Sequence, residues 1–109
     1  MIIDFNNIKE EIKPNFKNGE KEYRVKDYSD DLNKIMHGRL IPGASIGLHT
    51  HEINSEIIYI IEGSGITIYD GNEYNVKKGD VLYCKKGHTH SLINNSNSDL
   101  IFFAVVANQ

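Results

Sequence analysis

From Leu32 to its end the chain alternates short apolar runs with clusters of turn-forming residues, and this punctuation restricts it to an all-β architecture. LNKIMHGRLI stops at Pro42-Gly43, ASIGLHTH and EIIYIIE follow, and SGITIYD and NEYNV flank Asp70-Gly71. An Asp-Gly pair between two such runs predicts a tight hairpin, because both residues tolerate the positive φ that the turn requires. DVLYC, SLIN and DLIFFAVVA complete the series, separated by KKGH and NNSNSD. Short strands at this spacing, without an internal repeat, predict a sandwich or barrel. A chain of 109 residues has room for one domain with one core.

Residues 1–31 read differently. They are polar and turn-rich, and they predict an N-terminal arm or edge strands belonging to the same domain, with 32–109 forming the barrel. Ile2, Ile3 and Phe5 suit a short strand. Asn6 or Asn7 suits the cap of a helical turn through Ile8 and Ile12 that Pro14 ends. Lys21 to Tyr28 suits a strand, or an arm that covers the barrel or reaches a partner.

The chemistry is concentrated in GASIGLHTHEINSEIIYIIEG, Gly43 to Gly63. Side chains alternate along a strand, so His49 and His51 point the same way and one metal ion can touch both. Glu56 opens the next apolar run, and an antiparallel return brings its carboxylate back beside them. A second stretch, GDVLYCKKGHTHSLIN, repeats the pattern of glycine, strand and turn before His90, which supplies a fourth ligand. Three imidazoles and one carboxylate suit one divalent Mn, Fe, Co, Ni, Cu or Zn ion and suit Ca or Mg poorly. Four protein ligands leave an octahedral ion two positions for a small molecule or water.

The same alternation predicts the rest of the pocket. Parity with His49 places Ser45 and Gly47 on the metal side, and parity with Glu56 places Ile58 and Ile60 there. Tyr83 and Phe102 or Phe103 are candidates to close it. His37 and Arg39 share a strand whose inward face is open to two readings. If the pair faces inward, His37 is a candidate catalytic base and Arg39 an anion clamp; if Met36, Gly38 and Leu40 face inward, the pair lies at the surface. His88 reads as a solvated turn residue and Cys84 as a buried filler.

At these residues the chain resembles the cupin family. Its first motif is a glycine, five residues, His-x-His, three or four residues, Glu, six residues and a glycine, and Gly43, His49, His51, Glu56 and Gly63 match it. The second is a glycine, five residues, Pro-x-Gly, two residues, His, three residues and Asn. Gly79, Gly87, His90 and Asn94 match, while Lys85 stands at the proline. The resemblance implies a single small jelly-roll β-barrel with the metal inside. PGASIGLHTHE and the ending IFFAVVA are most similar to small single-domain cupins of the oxalate-decarboxylase type. In those enzymes an arginine sits three residues before the first motif histidine. This chain has Ile46 there, which argues for a reaction other than oxalate decarboxylation.

Two functions follow as expectations. The first is a metal-dependent enzyme of the dioxygenase, isomerase, lyase or decarboxylase type, acting on a small carboxylate, enol or sugar by Lewis-acid or oxygen chemistry. The second is a binding or sensing module without turnover.

Partners are constrained by charge and pattern. A formal charge of −3 with scattered lysines offers no basic patch for nucleic acid. No apolar run approaches the roughly 20 residues of a membrane span, no leader pattern opens the chain, and Cys84 is the one cysteine, so a cytoplasmic protein is expected. Ile57–Ile61 and Leu100–Ala107 are apolar on both faces, and the resemblance makes them neighbours in one sheet. A homodimer burying the outer face is expected, with or without exchange of the N-terminal strand; cover by residues 1–31 of the same chain is the alternative.

Overall fold

The computed structural model describes all of residues 1–109. Its strands are β1 Glu11–Pro14, β2 Glu22–Ser29, β3 Asn33–Leu40, β4 Ser45–Thr50, β5 Asn54–Glu62, β6 Ser64–Tyr69, β7 Asn72–Lys77, β8 Val81–Cys84, β9 Thr89–Ile93 and β10 Leu100–Asn108. They form a six-stranded sheet in the order β1-β2-β3-β10-β5-β8 and a four-stranded sheet in the order β4-β9-β6-β7. Every pairing is antiparallel. The two sheets face each other as a jelly-roll barrel.

Alternation decides what each strand buries. On β3 the inward residues are Met36, Gly38 and Leu40, and on β10 they are Leu100, Phe102 and Ala104. Ile58 and Ile60 of β5 and Leu92 of β9 complete the centre of one apolar core. Phe102 stacks on Tyr23, their ring centroids 5.9 Å apart. Asp70 and Gly71 both adopt positive φ in the two-residue turn between β6 and β7, which pairs Tyr69 with Asn72. The turn before β9 closes without a proline: His88 N–H donates to the Lys85 carbonyl across Gly87.

The first residues depart from expectation. Ile2 and Ile3 form no strand, and the helical turn is a 3-10 turn at Phe5–Asn7 whose capping side chain is Asp4 rather than an asparagine. Ile12 and Pro14 belong to β1. Proline is tolerated there because β1 is an edge strand and forfeits no ladder bond.

The apolar double-sided strands β5 and β10 are adjacent, and their outer side chains lie on one face: Ile57 opposite Val105 and Tyr59 opposite Phe103. Ile57 and Tyr59 are 48% and 46% exposed, so residues 1–31 leave much of this face open. Phe5 covers only its margin, against Phe103 and His37.

Candidate metal centre

The bend from β4 into β5 and the antiparallel course of β9 beside β4 bring His49, His51, Glu56 and His90 together inside one end of the barrel. Register does most of this, since His49 pairs with His90 across the β4–β9 ladder. His51 Nε2 lies 2.9 Å from His90 Nε2 and 3.1 Å from Glu56 Oε1; His90 Nε2 lies 3.1 Å from both His49 Nε2 and Glu56 Oε1. The four donor atoms all fall within 4.8 Å of one another.

The donor set fits a cation. Adjacent donors around an octahedral ion with bonds of about 2.1 Å stand about 3.0 Å apart, which matches the four pairs at 2.9–3.1 Å. The outer nitrogens fix the protons. His49 Nδ1 faces the Gly47 carbonyl and His51 Nδ1 faces Asn54 Oδ1, both acceptors only, so each Nδ1 carries the hydrogen and each Nε2 presents a bare lone pair inward. Burial pushes the Glu56 carboxyl up, but the hydrogen bonds that His51 and His90 donate when protonated outweigh it and hold the group down at about 2, so beside the neutral rings it is an ionised acceptor. Three of the four converging atoms are therefore acceptors, and His90 Nε2 can donate to only one of them. A shared cation satisfies all four.

Burial lowers the His49 pKa, opposed by its bond to Gly47, whereas the hydrogen bond to Glu56 raises that of His51. Cys84 sits opposite Glu56 in the β5–β8 register but is not among the donors. Burial, with the Glu56 charge, pushes its thiol up to about 11.

His49, His51 and Glu56 lie in the wall of a cavity of about 400 Å³, with His90 directly behind them. Tyr23, Met36, Ile46 and Val106 line its apolar side. Ile58 and Ile60 point inward and fill the barrel beyond the cavity. Phe102 also points inward, into the packed core; Phe103 takes the outer face, one residue out of phase.

Ser45 and Gly47, expected beside the metal, are turned away from it. The β4–β9 register shifts between Ile46 and His49, so an extra β4 residue puts Ile46 and His49 both inside. Ile46 takes the place in the wall. Ser45 Oγ accepts from Glu20 N–H instead, and Gly47 packs against the Lys17 carbonyl. Tyr83 is 51% exposed and lines a separate hollow of about 320 Å³, which His90 also borders.

His37 and Arg39 face outward, because Met36, Gly38 and Leu40 take the inner face. His37 packs near Phe5, and Arg39 pairs with Glu10 and Asp99 at 2.8 and 3.1 Å. His37 is therefore not a base for this cavity. His88 lies outside the cluster, paired with Asp70 and stacked on Tyr69. Asn94 is wholly buried and ties β9 to the end of β3 by donating to the Leu40 carbonyl at 2.8 Å.

Sequence reasoning missed Asn54, although parity with Glu56 on β5 carried the signal. It also missed Lys13, Phe16 and Lys17, which reach the cavity from β1 and the loop after it. Nothing in their local pattern distinguishes them from surface residues.

Residues 36–106 match the cupin domain model, and the chain belongs to the cupin family. Among its relatives is an oxalate-binding protein of Thermotoga maritima, 44% identical over 68 residues that make up 62% of this chain and 56% of the relative. A germin-like protein of Morus alba is 36% identical over 69 residues, covering 59% of this chain and 33% of the relative. The matched stretch thus spans little more than half of the first of these proteins and a third of the second.

Among solved structures, a predicted oxalate decarboxylase from Thermotoga maritima has a TM-score of 0.94 at 31% identity over 100% of both chains. A sugar phosphate isomerase of the cupin superfamily from Silicibacter pomeroyi has a TM-score of 0.79 over 100% of this chain and 76% of that one; at 20% identity the likeness is of fold alone. No helix of the protein is long and apolar enough to cross a membrane.

Proposed function

We propose that the protein holds one divalent transition metal ion (Mn, Fe, Co, Ni, Cu or Zn) on His49, His51, Glu56 and His90 and binds a small oxygenated anion there. The observation that carries this reading is the convergence of four donor atoms, three of them fixed as acceptors, beside a cavity of about 400 Å³ that His49, His51 and Glu56 line. Similarity to a protein named for oxalate binding supports an anionic ligand. The metal, when bound, supplies Lewis-acid or oxygen chemistry.

The chain's own residues set the conditions. Gly47 and Asn54 hold the protons of His49 and His51 on the outward nitrogens, leaving the inward ones free to bind. Glu56 stays ionised. Burial and the Glu56 charge push the Tyr23 hydroxyl far up, so it remains protonated beside the cavity. Ile46 and Val106 keep that side of the site apolar.

A second reading, binding or sensing without turnover, is favoured by one observation: no histidine outside the cluster lines the cavity. Elemental analysis of protein purified without chelator, beside His51→Ala, tests the common ground. About one transition metal ion per chain, lost in the variant, is expected; equal metal in both would sink the ligand set. A turnover screen of small acids and sugars on the loaded protein then separates the readings, with binding but no product deciding for the second.

We further propose that two copies pair through the outer face of β5 and β10, burying Ile57 and Tyr59. Light scattering at micromolar concentration is expected to give twice the chain mass, and a monomer would remove the idea.

A further inference from the structure

The loop from Asn15 to Lys21 bridges the edge of the six-stranded sheet to β4, and it is fixed in place. Asn15 N–H donates to the Lys21 carbonyl at 2.8 Å, Ser45 N–H to the Glu20 carbonyl at 2.9 Å, and Glu20 N–H to Ser45 Oγ at 2.8 Å. The approach is so close that a Cβ on Gly47 would stand 1.9 Å from the Lys17 carbonyl oxygen. Asn15, Lys17, Asn18 and Lys21 all adopt positive φ, a conformation most side chains avoid. A loop held in this way keeps a constant position relative to β4, which carries His49 and leads directly into His51.

The loop presents Lys17 and Phe16 to the cavity, and β1 adds Lys13. Lys13 pairs with Tyr23 in the β1–β2 register and so shares its inward face. The two ammonium groups flank one ring, 5.2 Å and 5.6 Å from the centroid of Phe16. Neither forms an ion pair with a carboxylate. The third lysine of the lining, Lys34, is neutralised by Asp27 at 3.4 Å, and the one acidic lining residue beyond the cluster, Glu52, is exposed. The rim thus carries two unneutralised cations, while the wall carries His49, His51 and Glu56 of the donor cluster.

Resting on the metal-and-anion reading above, we infer that Lys13 and Lys17 hold the distal carboxylate of a dicarboxylate longer than oxalate, whose near carboxylate sits at the metal site. Oxalate bound at the metal site would have both carboxylates there and would leave the rim lysines unused. It also fills only a small part of a cavity of about 400 Å³. A longer dianion uses both charged features at once.

The test is calorimetric titration of the metal-loaded protein with acetate, oxalate, malonate, succinate and glutarate, in wild type, in Lys13→Met with Lys17→Met, and in Lys17→Arg. Methionine keeps the length of the side chain, and the backbone cost at position 17 is the same for any residue with a Cβ. In the double variant the best longer dianion is expected to bind about five- to tenfold more weakly, oxalate to change by less than about twofold, and metal content to stay unchanged. Lys17→Arg is expected to bind like wild type. Rising salt weakens the longer dianion and spares oxalate. Unchanged affinity for every longer dianion, or a parallel loss of oxalate, overturns the inference. Wild type that binds oxalate and no longer dianion overturns it alone. Loaded wild type that binds no anion removes the metal-and-anion reading with it.

Discussion

The two ends of the barrel are built from the same strands and carry opposite chemistry. On β5, Ile60 is buried at one end and Glu56 stands at the other; β9 offers Leu92 and then His90, and β3 offers Leu40 and then Lys34. At the closed end Leu40, Ile60, Leu92, Leu100 and Phe102 exclude water almost completely. At the open end, inward positions of the same strands are ionisable or line a cavity. An even-numbered step along a strand keeps a side chain inside while moving it from packing to chemistry. Stability and binding are therefore separable here.

The sharpest break of that comparison is at the closed end. Phe102→Ala removes a ring stacked on Tyr23 and packed over Gly38, where an added Cβ would stand 2.4 Å from the Phe102 ring. The expected cost is about 3–5 kcal/mol of folding stability, measured by urea unfolding. The fraction that remains folded should still take up one metal ion per chain. Loss of metal from protein that is demonstrably folded would mean that the two ends are coupled through Tyr23, which also borders the cavity.

A second test changes the pH dependence and leaves the core alone. In metal-free protein Glu56 is held at about 2, below its ordinary value of 4.5. Its contribution to stability is therefore present above about pH 4.5 and lost as pH falls toward 2. His51 has the opposite sign. Its pKa is raised, first by the bond to Glu56, so its contribution is complete below about pH 6.5 and lost as pH rises through its folded value. His49, lowered by burial, costs stability as pH falls below about 6.5. Glu56→Gln removes the first contribution and the main cause of the second. Urea unfolding between pH 3 and 7 should show metal-free wild type losing stability below about pH 4.5 more steeply than Glu56→Gln. Phe102→Ala should lower the wild-type curve without changing its shape. Parallel curves for wild type and Glu56→Gln would contradict the ionised cluster.

The sequence made the open end more legible than its surroundings. His49, His51, Glu56 and His90 stand at fixed spacings in or beside strands bounded by turn residues; spacing marks them as a set, and the β4–β9 register brings His90 to the others. The Asp70-Gly71 hairpin was readable for the same reason, since the turn chemistry is local. Ser45 and Gly47 were misplaced because a bulge between Ile46 and His49 resets parity, and an extra residue in one strand is visible only beside its partner. His37 was undecidable until the β3–β10 pairing fixed which face of β3 meets Phe102. Lys13 and Lys17 could not be found, since their place at the cavity depends on the β1–β2 pairing for the first and, for the second, on a loop packing against β4 from about 30 residues away in sequence.

Asn54 carries the smallest and most specific of these tests. It opens β5 two residues before Glu56 and accepts the Nδ1 hydrogen of His51, so on the proposed function it would position a ligand rather than touch the metal. Asn54→Ala leaves the His51 ring free to turn and to move its hydrogen to the inward nitrogen, where it competes with the ion. Metal affinity is expected to fall about 10–100-fold, with folding stability little changed. Asn54→Asp keeps an acceptor in place and should retain the metal. It should also raise the pH at which metal is released, because the added charge stabilises protonated His51. A packing role alone predicts something else: both variants destabilised, and the release pH of whatever metal remains unmoved. Titrating metal release against pH in the three proteins decides between them. If Asn54→Asp releases metal at the wild-type pH, the open end is held together by its four donors without help from the residue behind them.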